Sequence, residues 1–426
     1  MTTNSTIADE PARRRWLTRE RVVIYSGAFL ATQVILLVIW AVAHWGLHVP
    51  AVPPLGVDFR VYWSASYVTL YEGALAAFDH NKLLSVEAQL LAGVAMEPPY
   101  APWIYPPSFQ LLIYPLALLP YSASYVLFIS AGLACCLLAC TPMVKPGALP
   151  WVSVIAFPGI WIAIMTGQNS LLTLALTMAA LTLLERRPLL AGLCAGSLAI
   201  KPQLAVLFPL LFICGGHFRA LGAMVVMCIF SCALSGLIFG PQLWFRFFEA
   251  ASWFSSAIVE RGEGGMWNGM STVFAFARQL GANIPVAYAI HAAIALPVVA
   301  TTAFLWTRNS RCNFELRAAA FGTSTLLVQP YLMYYDLAWL IFPLGYLAID
   351  HARRGTWNNV DRAIMIIVWA SPMVVLLAVF GPPVGKLGLM LLSKWGVLGM
   401  LLLFIATSRH ALVRTRPSVQ AVPVVR

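Results

Sequence analysis

Thirteen stretches of this chain are apolar enough to leave water, and that recurrence limits the fold more than any motif does. After 21 polar residues that include Arg13, Arg14, Arg15, Arg19 and Arg21, an apolar run extends from Val22 to Ala43. Twelve more follow, at about 104–119, 121–140, 150–166, 168–184, 188–200, 202–214, 219–239, 284–306, 316–329, 336–350, 361–381 and 386–407. With 60% of residues hydrophobic and 10% charged, no soluble fold of this length can bury the apolar surface, so lipid is the solvent for most of it. A cytosolic enzyme, a secreted disulfide scaffold and a disordered chain are excluded. Ala41-Val42-Ala43 has the small-x-small form of a cleavage site, yet the run before it is longer than the usual signal h-region of roughly 7–15 residues, so it reads as a retained first span. Seven of the eight cysteines lie in apolar runs and Cys312 in a basic loop; without a C-x-x-C pair they read as small apolar fillers.

Several runs fall short of the ~20 residues that cross the hydrocarbon core, and charge decides how they thread. If 150–166 re-enters and returns to the same side, the other twelve span. The basic clusters at Arg186/Arg187, Arg219, Arg308/Arg311/Arg317, Arg353/Arg354/Arg362 and Arg409/Arg414/Arg416 then all share the side of the amino terminus. That side carries 18 arginines against seven acids, a net of +11, and the other side a net of zero. The basic excess is therefore an orientation signal, and no nucleic-acid partner is implied. The expectation is an all-α polytopic membrane protein with about 12 transmembrane helices plus a re-entrant segment. It would be multi-pass in the plasma (inner) membrane, with both termini cytoplasmic. It divides into a basic tail (1–21), a transmembrane domain (22–408) and a cytoplasmic tail (409–426), with 44–103 and 240–283 as extracytoplasmic loops. In the first loop, an aromatic helix over Asp58–Phe78 and a second over 81–94 suit the headgroup zone, and the prolines at 98, 99, 102, 106 and 107 break helix before the next span.

In a membrane protein the informative polar residues are those at helix ends with no topogenic reason to be there. Here they gather on the extracytoplasmic face: Asp58 after Gly56, Tyr105 before two prolines, Gln168-Asn169-Ser170, Lys201-Pro202-Gln203, Asn268 and Ser271 with Arg278, and Gln329-Pro330 with Tyr335 and Asp336. Lys201 has two readings, a cation snorkelling to the interface or one facing a cavity that binds an anion. Pro202, which stops the helix and frees backbone amides, favours the second. Asp58 is the candidate base, because a carboxylate partly desolvated near lipid headgroups gains a pKa useful for proton transfer. Asp336 is a second carboxylate, at the start of a late span. Glu72, Asp79, Glu87, Glu97, Glu249, Glu260 and Glu263 show no apolar enclosure and read as solvated. No H-E-x-x-H, P-loop, G-x-S-x-G or D-x-D is present, which argues against a hydrolase, an ATPase and a metal-dependent nucleotide-sugar enzyme; no metal and no cofactor are expected.

The string Gly56-Val57-Asp58-Phe59-Arg60-Val61-Tyr62-Trp63 resembles the Asp-Phe-x-x-Tyr segment that follows the first helix in glycosyltransferase family 87, a polyprenyl-phosphate-dependent group that includes mannosyltransferases. Tyr105-Pro106-Pro107, Gly167-Gln168-Asn169-Ser170, Arg187-Pro188, Lys201-Pro202-Gln203 and Asn268-Gly269-Met270-Ser271 with Arg278 resemble that family's markers in the same order. Near Gln329-Pro330 the family pattern has Ser-Pro and a polar stretch, where this chain has Tyr331-Leu332-Met333. The resemblance implies a GT-C fold and a hexose, often mannose, moved with inversion from a polyprenyl-phosphate donor to a glycolipid or lipid-linked glycan on the extracytoplasmic face. It implies Asp58 as general base, and Lys201 and Arg278 at the donor phosphate. Tyr62, Tyr105, Gln168, Asn169, Gln203, Asn268, Ser271, Tyr335 and Asp336 would bind substrate. Two other readings stand beside it: a transporter or lipid flippase, and a ligase-like GT-C enzyme using a diphosphate-linked glycan. The absence of related halves and the single-faced polar set argue against the transporter.

Overall fold

The computed structural model describes residues 18–50, 52, 55–92, 101–144, 149–262, 265–355, 357–380 and 385–415. Most of the amino-terminal tail, the end of the carboxy-terminal tail, prolines 98 and 99, Glu97 and Glu263 lie outside them. Among the described residues the chain is helical, with one isolated antiparallel bridge between Met270 and Met333.

Helix α1 (Arg19–Ala41) starts at Thr18, whose hydroxyl accepts from the Arg21 amide, and continues into a π turn at Val42–Gly46. The expected aromatic helix is two pieces. Helix α2 (Phe59–Glu72) stops at Gly73, whose φ of 98° is closed to most side chains, and a 3-10 turn over Ala74–Phe78 follows. Helix α3 (His80–Leu90) is capped by Asp79. Next come α4 (Pro107–Ile113) and α5 (Tyr121–Val144). The segment at 150–166 is not one span: α6 (Trp151–Ile155) and α7 (Pro158–Thr166) are separated at Ala156-Phe157, where Phe157 is held extended before proline.

Helices α8 (Ser170–Leu183) and α9 (Pro188–Ser197) precede two 3-10 turns, Leu198–Ile200 and Pro202–Ala205, that meet at Lys201. Helices α10 (Phe208–Gly215) and α11 (Phe218–Phe239) lead to a second loop containing α12 (Gln242–Trp253), α13 (Met266–Gly269) and α14 (Val273–Gln279). The chain closes with α15 (Ile284–Leu305), α16 (Phe314–Leu327), a 3-10 turn over Tyr334–Leu340, α17 (Ile341–Arg354), α18 (Asn359–Phe380), α19 (Lys386–Ser393) and α20 (Trp395–Thr415).

Among the described residues six helices are long and apolar enough to cross a membrane: Arg19–Gly46, Tyr121–Val144, Phe218–Phe239, Ile284–Leu305, Asn359–Val379 and Trp395–Val413. The other apolar segments are shorter than a span. Helices α8, α16 and α17 have 14 residues each, about 21 Å of rise, and α16 and α17 are almost wholly buried by protein. Broken and short helices are tolerated at membrane depth where neighbouring side chains, rather than lipid, surround the backbone.

Close packing sets the approach of α9 to α11. Gly192 and Gly196 form a small-x-x-x-small face. A Cβ on Gly192 would lie 2.1 Å from the Ala220 carbonyl oxygen, and one on Gly196 2.6 Å from that of Met224.

Polar contacts sort to opposite ends of the bundle. At one end Asp361, at the start of α18, accepts from Arg409 Nη2 (2.8 Å) and lies 2.9 Å from His410 Nε2, both on α20. Arg353 and Arg354 at the end of α17 pair with Glu315 and Asp350, and Arg308 donates to the carbonyls of Gly215 and Gly216. The opposite ends of α8, α16, α17 and α20 carry Ser170, Gln329, the Tyr334–Leu340 turn and Lys394.

Candidate active site

The backbone places Asp58 before any side chain does. The amides of Gly56 and Asp58 donate to the carbonyls of Met165 and Thr166 at the end of α7, each at 2.9 Å. Gly167 turns there with φ of 75°, and a Cβ on it would lie 2.4 Å from Cβ of Phe59. Tyr121 reaches the Leu55 and Gly56 carbonyls (2.7 and 2.8 Å), and Tyr125 donates to that of Ile164. The start of α2 is thus fastened to the end of α7, which brings Asp58 to Gln168.

Gln168 is oriented by two phenols. Its Oε1 accepts from Tyr62 and, at 3.3 Å, from Tyr105, and the two hydroxyls lie 2.8 Å apart. With the carbonyl so engaged, the amide nitrogen serves the Asp58 carboxyl. Asp58 is half-buried with its Oδ2 enclosed, and desolvation pushes its pKa up to about 6 against the opposing pull of the Gln168 hydrogen bond and of Arg60 and Lys201. Its Oδ2 has no protein partner, nor do Oδ1 and Nδ2 of the neighbouring Asn169. Beneath α2, Arg60 faces Glu87 at 3.6 Å with both side chains buried. Glu87, expected to be solvated, is fully enclosed because α3 folds back under α2, and burial raises its carboxyl to about 7 in spite of Arg60.

Lys201 does not snorkel: its Nζ donates to Asp336 Oδ1 at 2.6 Å, both side chains are buried, and Ser170 Oγ donates to the same oxygen at 2.7 Å. The ammonium also lies 5.1 Å from the Tyr335 ring centroid. Asp336 is therefore the counter-ion of a residue 135 positions earlier. Gly159 makes this approach available, since its missing Cβ would meet Ala338 Cα at 2.7 Å.

A cavity of about 70 Å³ opens beside Lys201, lined in part by Tyr105, Lys201, Gln203, Phe247, Tyr331 and Tyr335; Asp58 and Gln168 do not line it. Gln203 is held in place by its carbonyl, which accepts from Gln329 Nε2 at 2.7 Å. Tyr331 and Phe247 were not among the expected residues. Tyr331 is the first residue of the stretch that departs from the family pattern, and Phe247 lies in the aromatic sequence of α12, whose amphipathic character is its only advance signal.

Asn268, Ser271 and Arg278 form a separate cluster. Asn268 Oδ1 accepts from Gln279 (2.9 Å), and the Ser271 amide donates to the Leu332 carbonyl (2.9 Å) while its buried hydroxyl has no partner. Arg278 has a different set of neighbours from Lys201: its guanidinium binds the carbonyls of Glu260 and Ala282 and covers the Trp267 ring at 4.8 Å. Lys394, buried at the α19–α20 junction, donates to the carbonyls of Trp267 and Met270, the latter at 2.6 Å. The Met270–Met333 bridge joins this cluster to the strand-like segment that carries Tyr331.

The family model described as glycosyltransferase family 87 matches residues 103–330, just over half of the chain. The chain belongs to glycosyltransferase family 87. It is accordingly a membrane glycosyltransferase, with substrates to match an enzyme embedded in lipid. No curated protein and no solved structure matches it. Within this family 87 enzyme the matched region contains Tyr105, Gln168, Lys201 and Gln203. Asp58 and Asp336 lie outside it and join the site only through the contacts just described.

Proposed function

We propose that this chain is a GT-C enzyme that transfers a hexose, mannose by resemblance, from a polyprenyl-phosphate donor to a glycolipid or lipid-linked glycan at the extracytoplasmic face. The observation that carries the proposal is the placement of Asp58: a half-buried carboxyl, raised to about 6, fixed by Gln168 and with one enclosed oxygen uncommitted, near a paired cation. In that role Asp58 takes the proton of the acceptor hydroxyl as its oxygen attacks the anomeric carbon. The bond from that carbon to the donor phosphate breaks on the opposite face, and polyprenyl phosphate leaves with the electron pair, so configuration inverts. Lys201 faces the charge that grows on the leaving phosphate, with Asp336 holding the ammonium in place. The uncommitted atoms of Asn169 suit a sugar hydroxyl, since buried polar atoms are seldom left unpaired. Arg278, already engaged, supports the wall rather than the phosphate.

The orientation, the 22–408 transmembrane domain and the placement of both tails in the cytoplasm follow the charge asymmetry of the sequence. The test is transfer of radiolabelled mannose from polyprenyl-phosphate mannose to lipid extract by the purified enzyme in nanodiscs. Product with inverted configuration, lost in folded Asp58→Asn, is the expected result. Labelled substrate taken up into proteoliposomes without product, or transfer from diphosphate-linked donors only, overturns it.

A further inference from the structure

A second cavity lies at the other end of the molecule, a slot of about 640 Å³ between the first half of α1, α6, α17 and the start of α18. Along α1 it runs from Arg19 to Phe29 and along α17 from Ala352 back to Ile341, about 15 Å in each case at 1.5 Å per residue. That depth is half of the roughly 30 Å hydrocarbon core, the length of one leaflet. The inner wall is apolar and aromatic, with Leu344, Met365 and Trp369, and its two serines satisfy each other, Ser26 Oγ to Ser153 Oγ at 3.2 Å. The mouth is cationic: Arg19 and Arg362 line it and, among the described residues, no carboxylate does. Arg362 is 5% exposed and stands over the Trp357 ring at 6.0 Å. Its neighbour Asp361 is taken up by Arg409 and His410 and does not neutralise it. Helix α1 has little else to hold it, since only 11% of its most apolar window is buried.

We propose that this slot binds an anionic phospholipid of the leaflet at the basic end of the bundle, with one acyl chain between α1 and α18 and the phosphate between Arg19 and Arg362. An apolar chain explains the wall, and the two guanidiniums explain why the headgroup is anionic rather than zwitterionic. The chain's own amino-terminal residues, with Arg13, Arg14 and Arg15, are a poor match for a cationic mouth. The lipid would fasten α1 to the rest of the bundle, a role independent of the sugar-transfer reading.

The test is native mass spectrometry of the full chain titrated with phosphatidylglycerol or phosphatidylcholine of identical acyl chains. One phosphatidylglycerol should be retained about 30-fold more tightly than phosphatidylcholine, taking roughly a factor of five per arginine, and the Arg19→Gln/Arg362→Gln double variant should lose that preference. Equal retention of the two lipids, or a preference that survives the double variant, overturns the proposal. A phosphatidylglycerol bearing a diazirine in its acyl chain tests the unmodified protein: crosslinks at 22–29 or 365–369 support the proposal, and crosslinks only on other faces refute it.

Discussion

Asp58, the proposed base, is held by contacts from segments distant in sequence, the end of α7 and Gln168 among them. Its pKa of about 6 arises first from burial, so below that pH the carboxyl is protonated and cannot accept the acceptor's proton. Transfer rate should therefore rise with pH through about 6 and level off above it, measured as kcat/KM against pH. Gln168→Leu removes a hydrogen bond that favours the charged form, so the same limb should move to higher pH with KM for the donor little changed. A rate that falls as pH rises through this range would exclude Asp58 as base. Lys201→Met strands Asp336 as a buried charge and should cost about 3–5 kcal/mol of stability. The double variant Lys201→Met/Asp336→Leu should recover much of that stability while transfer stays low, which thermal unfolding and activity together separate. Lys201 and Asp58 stood out in the sequence as candidates, because neither has a reason to sit where lipid begins. Their contacts were not legible: Asp336 and Gln168 reach them across 135 and 110 residues, and no local pattern encodes a contact of that span.

Among elements, two glycine faces hold the site together. Gly192→Val pushes α9 off α11 at the Ala220 carbonyl and should cost about 1–3 kcal/mol, lowering the detergent melting temperature. Gly222→Ala on α11, where a Cβ meets nothing within 4 Å, should leave it unchanged. Gly167→Ala is worse placed, since φ of 75° and Phe59 both oppose a side chain. It should lower kcat by about 100-fold through the displacement of Asp58, with the overall helix content retained by circular dichroism. The runs of apolar sequence marked the helices outside the two long loops, and Gly167 marked the end of α7. The breaks at Gly73 and Lys394 were harder to see. Lys394 divides what reads as one apolar run because its ammonium serves carbonyls of the 240–283 loop, and that loop is distant in sequence.

For the whole molecule, the separation of polar contacts into two ends gives the orientation a physical test. Single cysteines at Glu72 and Arg261 should react with a membrane-impermeant maleimide added to intact cells, and one at Arg187 only after lysis. Labelling of Arg187 from outside would invert the topology and move the active site to the cytoplasm. Membrane residence and the identity of the candidate base were written in the chain itself, because hydropathy and charge are sums over local residues. Span length is decided in the fold: α16 and α17 can be short because other helices cover them, and covering is a property of the packed bundle. The ion pair of Lys201 with Asp336, the enclosure of Glu87, the cavity beside Tyr331 and the slot behind α1 likewise exist only where separate segments meet. Burial and Coulomb energy depend on distance in space, and sequence order carries no record of it.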